Sequence, residues 1–94
     1  MLNDENKELC QQVLEKHGIQ HQRMMTIEEC SELQKAICKL FRSDTPRNRQ
    51  NLREELIDTI NMCQQMLMAE GITMEYVNLM IKAKLTIALK GEKP

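Results

Sequence analysis

Two acidic clusters constrain this chain more than any other feature: Glu28-Glu29-Cys30-Ser31-Glu32 and Glu54-Glu55-Leu56-Ile57-Asp58, each set in a stretch with helical apolar spacing. Three residues of α-helix turn through about 300°, so Glu29 and Glu32 stand within about 60° of one another, as do Glu55 and Asp58. Two such helices packed about 8–10 Å apart bring four carboxylates together. Like charges at that separation repel unless a cation lies between them or their pKa values rise. A donor set of oxygens without His or Cys suits Mg²⁺, with Mn²⁺ as a substitute, far better than Zn²⁺. The expected metal ligands are therefore Glu29, Glu32, Glu55 and Asp58.

An acidic run on one helix is more often a solvated face, and Thr26-Ile27-Glu28-Glu29 also reads as a capping box that would begin a helix at Thr26. Ion pairs compete as well, Glu32 with Lys35 and Glu54 or Glu55 with Arg53 or Arg49, each contributing only a few tenths of a kcal/mol. A second motif at the same spacing, beside an apolar flank that includes Met62 and Met66, shifts the balance toward a metal site. No His stands in an E-x-x-H arrangement, which argues against a di-iron carboxylate bundle.

Ninety-four residues make one domain, 1–94, near the lower limit for burying a core unaided, and oligomerisation is the expected remedy. With eight Met, two aromatic residues (Phe41 and Tyr76), three Gly and two Pro, the composition favours helices over strands. A net charge of −1 with interspersed signs lacks the field of a nucleic-acid binder, and no apolar run reaches membrane-spanning length. Neither nucleic acid nor membrane is an expected partner. Cys10, Cys30, Cys38 and Cys63 have no C-x-x-C spacing and read as reduced core thiols. Together with an acidic, polar N-terminus unlike a secretory signal, they point to the cytoplasm.

Four helical stretches are predicted, from about Asn3 to Lys16, Gln20 to Phe41, Pro46 to Glu70 and Met74 to Lys90. Gly18, Gly71 and Gly91 act as stops, with Thr45 and Thr73 as caps. Apolar stripes run through Ile27, Cys30, Leu33, Ile37, Leu40 and Phe41 on the second helix, and through Leu52, Leu56, Ile60, Cys63 and Leu67 on the third. The short link at Gly71 predicts that the third and fourth helices form an antiparallel pair. The expected fold class is all-α, an antiparallel bundle of about four helices completed by oligomerisation.

The pattern E-E-x-x-E followed by E-x-x-D resembles the MazG-like all-alpha nucleoside triphosphate pyrophosphohydrolases of the small single-domain type. The segments QRMMTIEECSELQKAICK (22–39) and NLREELIDTINMCQQ (51–65) carry the likeness, with a last helix containing Ile81-Lys82-Ala83-Lys84-Leu85. The resemblance implies Mg²⁺-dependent cleavage between the α- and β-phosphates of a nucleoside triphosphate by a cytoplasmic homodimer or homotetramer. It implies metal binding by Glu29, Glu32, Glu55 and Asp58, a further metal or the attacking water at Glu28, and sugar or base contact at Asn61. Lys39 and Lys84 resemble the family's recurring basic positions and become the preferred phosphate contacts. Lys35, Arg42, Arg47, Arg49, Arg53 and Lys82 are the other nearby cations. Larger relatives stack the base on Trp, which this chain lacks, so His21, Phe41 and Tyr76 are the ring-bearing candidates beside His17, with Met24, Met25 and Met62 as a loose apolar base slot. The competing function class is a non-catalytic helical module that oligomerises or binds a partner.

Overall fold

The computed structural model describes residues 2–91 and consists of α1 (Asp4–His17), α2 (Ile19–Arg42), α3 (Pro46–Ala69) and α4 (Met74–Leu89), with no strand among the described residues. Local chemistry accounts for the boundaries. Asn3 accepts a hydrogen bond from the Asn6 N–H (2.8 Å), Thr45 from Asn48 (3.1 Å) and Thr73 from Tyr76 (3.2 Å), so three of the four helices open on side-chain caps. Pro46 occupies the first turn of α3, where its missing N–H costs nothing. α2 begins near Gln20 as expected, so Thr26 lies inside it; its hydroxyl donates back to the Gln22 carbonyl (2.7 Å), which removes the alternative reading of Thr26 as a capping-box start.

α2 and α3 form an antiparallel hairpin whose register is fixed at several points. Gln22 meets Gln65, the Thr59 hydroxyl reaches the Glu29 carbonyl, and the Asn48 amide reaches the Lys39 carbonyl. Arg23 pairs with Glu70 at 3.7 Å. The seam between them is made by Gln22, Met25, Thr26, Glu29, Leu33, Ala36 and Leu40 on α2, and by Asn48, Asn51, Glu55, Thr59, Met62 and Met66 on α3, all buried or half-buried. The apolar stripes expected to form this contact enter it only in part: Leu33 and Leu40 lie in the seam, whereas Ile27 is 64 % exposed and Phe41 87 %. Small Ala36, fully buried, lets the backbones approach, and polar groups occupy core positions that periodicity alone would have assigned to apolar side chains. α1 packs across both helices and buries Cys10.

The predicted pairing of the third and fourth helices does not occur. α4 packs against none of the other three helices and buries none of its side chains. The reason lies in the connection. Gly71 takes φ +71°, the Ile72 N–H donates to the Leu67 carbonyl (2.9 Å) and the Gly71 N–H to the Met68 carbonyl (3.0 Å), a Schellman closure that satisfies the end of α3. With Thr73 capping the next helix two residues later, the chain is directed outward with its backbone groups bonded. No helix among the described residues is long and apolar enough to cross a membrane. The four cysteines are free, as expected, but only Cys10 is buried; Cys38 and Cys63 are exposed, because they fall outside the seam.

Candidate metal centre

Glu29 sits at a core position of α2, opposite Glu55 and Asp58 of α3, because the hairpin register places the midpoints of the two helices together. Thr59 holds that register. Its hydroxyl donates to the Glu55 carbonyl (2.8 Å) and lies 3.3 Å from the Glu29 carbonyl, so one side chain ties the two acid-bearing turns to each other. A threonine directly after the second acidic cluster, Asp58-Thr59, is the signal that sequence reading passed over.

One carboxylate oxygen each from Glu29, Glu55 and Asp58 lies within 4.8 Å of the other two. An octahedral Mg²⁺ with ligands at about 2.0–2.1 Å sets neighbouring oxygens about 2.9 Å apart and opposite ones about 4.2 Å apart, so modest rotamer changes close the site. Two observations speak for a cation here. The buried Oε2 of Glu55 has no hydrogen-bond partner, and a carboxylate oxygen in that position needs either a donor or a metal. The Glu29 carboxyl is also pushed above the ordinary carboxylate value, first by loss of solvent and then by the charges of Asp58, Glu55, Glu32 and Glu28. The donor set is all oxygen and fits a hard divalent ion.

The other expected residues are distributed around this triad. Glu32, one turn beyond Glu29, is exposed and pairs with Lys35 at 3.3 Å; it stands outside the triad yet its charge still acts on Glu29. Glu28 is exposed on the same helix. By helical register Glu28, Glu32, Lys35 and Lys39 form one stripe along α2, with the lysines toward the α2–α3 link and Lys39 about 10 Å beyond Glu32. Arg49 is engaged by Asp44 through two hydrogen bonds (2.6 and 2.7 Å), and Arg53 leans on Gln50. Lys84 stands on α4 and is not brought to the acids of its own chain.

Toward the α1 end runs a relay of side chains whose middle pair, Gln22 and Gln65, is buried and whose ends, His21 and Asn61, are exposed. His21 Nδ1 lies 2.6 Å from Gln22 Oε1, Gln22 Nε2 donates to Gln65 Oε1 (2.6 Å), and Gln65 Nε2 donates to Asn61 Oδ1 (3.3 Å). His21 stacks on His17 with centroids 5.2 Å apart and stands about 12 Å along α2 from Glu29, away from the acidic triad. Asn61 and Gln65 line a groove of about 410 Å³ under α1, together with Asn6, Leu9, Val13 and Ile57. Sequence reading gave α1 no part in a site. Met24 is exposed while Met62 is sealed in the seam, so the three methionines proposed as a base slot do not share one.

Compared with models of known protein families, with curated proteins and with solved structures, the chain matches none of them.

Proposed function

We propose that this chain is a Mg²⁺-dependent nucleoside triphosphate pyrophosphohydrolase of the MazG-like type, converting a ribo- or deoxyribonucleoside triphosphate to the monophosphate and pyrophosphate. The observation that carries the proposal is the acceptor-only triad Glu29, Glu55 and Asp58, in which a buried Glu55 oxygen has no donor. Glu29, Glu55 and Asp58 would hold Mg²⁺, which would supply positive charge to offset that building on the phosphoryl oxygens.

The chain's own residues divide the remaining work. Glu29, Glu55 and Asp58 hold the cation. Glu28 and Glu32, exposed beside Glu29, border the mouth of the site, where either carboxylate orients the attacking water and accepts its proton. Lys35 and Lys39 continue the same stripe and neutralise the β- and γ-phosphates as they leave as pyrophosphate. In the other direction Asn61, held by Gln65, faces the sugar, and the groove under α1 takes the base. Water attacks the α-phosphorus, and the bond from that phosphorus to the bridging α–β oxygen breaks. The protein works as a homodimer or homotetramer, with the second copy covering apolar surface that one chain leaves open.

A non-catalytic helical module is the second reading, favoured by the uncovered apolar surface of α4. Pyrophosphate release from a panel of ribo- and deoxyribonucleoside triphosphates, with Mg²⁺ and with EDTA, separates the two. The proposal expects metal-dependent release that is lost in Glu55→Gln; no release from any triphosphate by folded protein at saturating Mg²⁺ selects the module.

A further inference from the structure

The chain-wide charge of −1 averages over two regions of opposite sign. Residues Lys35 to Arg53, which make the closed end of the α2–α3 hairpin, hold six cations and a single acid, Asp44, for a net +5, while the rest of the chain carries −6. Asp44 is already engaged by Arg49, and Lys35 by Glu32. Lys39, Arg42 and Arg47 are exposed and form no ion pair among the described residues, and Arg53 leans on the neutral Gln50 amide at 3.4 Å. The Asn48 amide reaches the carbonyls of both Lys39 and Ser43 (3.4 and 2.8 Å), so the adjacent Arg47 stands at the same end as Lys39 and Arg42. Phe41, 87 % exposed, precedes Arg42 there.

Helix electrostatics accounts for only half of this cluster. Lys39 and Arg42 lie in the last turn of α2, where cations complement the negative end of a helix. Arg47 lies in the first turn of α3, whose end is already positive, and no acid stands in that turn. Like charges gathered in this way repel one another, and an incoming anion relieves the repulsion. The anion has to be extended, because Arg42, Arg47 and Arg53 are spread over two helices, and Arg47 to Arg53 alone covers about 9 Å. It also has to offer a flat face to the Phe41 ring. A chain of phosphates with unpaired bases has both properties, since cations follow its backbone and an aromatic ring stacks on a base. A duplex keeps its base faces stacked inside, and an acidic peptide brings no base to Phe41. We propose that the closed end of the α2–α3 hairpin binds single-stranded nucleic acid, with Arg42, Arg47 and Arg53 on its phosphates and Phe41 stacked on a base. Arg47 lies about 12 Å along α3 from Glu55, so this surface is separate from the acidic triad and does not depend on the proposed hydrolysis.

Fluorescence anisotropy of a labelled oligothymidylate titrated with the full chain, in EDTA and without nucleotide, tests the surface. Wild type is expected to bind, and three phosphate contacts on a single strand should weaken binding about twentyfold between about 50 and 200 mM salt. Arg42→Glu combined with Arg47→Glu should weaken it at least about tenfold, as should Phe41→Ala, whereas Phe41→Tyr should bind like wild type. All three positions are exposed, so helicity by circular dichroism should not change. Lys16→Glu combined with Lys84→Glu alters the net charge by the same amount away from the hairpin end and should leave binding as it is. No binding at low salt overturns the proposal. Equal loss in the Lys16 and Lys84 variant overturns the placement at the hairpin end. Polyglutamate, duplex DNA or phosphatidylserine vesicles that bind as tightly as the oligothymidylate, with Phe41→Ala without effect, overturn the single strand as the partner.

Discussion

The α2–α3 seam is interrupted by polar groups in two places, and the two interruptions differ in kind. At one, Gln22 and Gln65 are both buried and close on each other at 2.6 Å, donor to acceptor, in a neutral pair continued by His21 and Asn61. At the other, about two turns away, Glu29, Glu55 and Asp58 converge with acceptors only, and a buried Glu55 oxygen has no partner. The same helix pair thus satisfies one polar cluster internally and leaves a Glu55 oxygen of the other without a hydrogen-bond partner. An amide carries both halves of a hydrogen bond, whereas an ionised carboxylate only accepts, so glutamines can close on one another while carboxylates need a donor, a proton, water or a cation.

The largest expected effect breaks the open cluster. Glu55→Gln and Asp58→Asn should each lower metal-dependent pyrophosphate release by about a hundredfold or more, with helicity by circular dichroism unchanged, because each removes a charged ligand at nearly constant volume. Glu32→Gln should cost less than either, since Glu32 stands outside the triad beside Lys35. Equal loss in all three would put Glu32 back among the ligands.

Breaking the closed cluster should act on stability. Gln65→Ala leaves the buried Gln22 amide without its partner and is expected to cost about 1–3 kcal/mol in denaturant unfolding, while the response to Mg²⁺ stays that of wild type. A lost Mg²⁺ response would mean that the two clusters are one unit.

The smaller effects concern the charge balance. Mg²⁺ at ten times its Kd should stabilise the wild type by about 1.4 kcal/mol, on the order of 5–10 °C in Tm. Glu55→Gln should lose that shift and, in EDTA, melt above the wild type, because one of the repelling charges is gone. Glu29 supplies the pH dependence. Its folded-state pKa is raised, so the stability linked to its protonation is fully present below the ordinary carboxylate value and is lost as pH rises through the raised one. In EDTA the wild type should therefore lose this increment on going from mildly acidic to neutral pH. Protons and Mg²⁺ compete for the same oxygens, so the Mg²⁺ effect on Tm should be largest at neutral pH and fade on acidification. A Tm that is flat through this range in EDTA would remove the repulsion that motivates the cation.

Helix number and ends were legible in the chain because caps are local chemistry. Asn3, Thr45 and Thr73 bond to N–H groups three residues away, and Gly18, Gly71 and Gly91 take the positive φ that ends a helix without a Cβ clash. The spacing of Glu29, Glu55 and Asp58 was legible for the same reason, since three residues set a fixed angle on any helix. What the tertiary structure decided is which face of each helix turns inward. The seam took Gln22, Glu29, Ala36, Glu55 and Thr59 over the more apolar stripes through Ile27, Ile37, Phe41 and Cys63, a choice made by mutual packing and by hydrogen bonds between residues some 30–43 apart in the chain. It also separated Glu32 from the triad, brought α1 over the groove at Asn61, and sent α4 and Lys84 away from the acids of their own chain. Periodicity reports how apolar a face is; only the meeting of two surfaces determines what covers it.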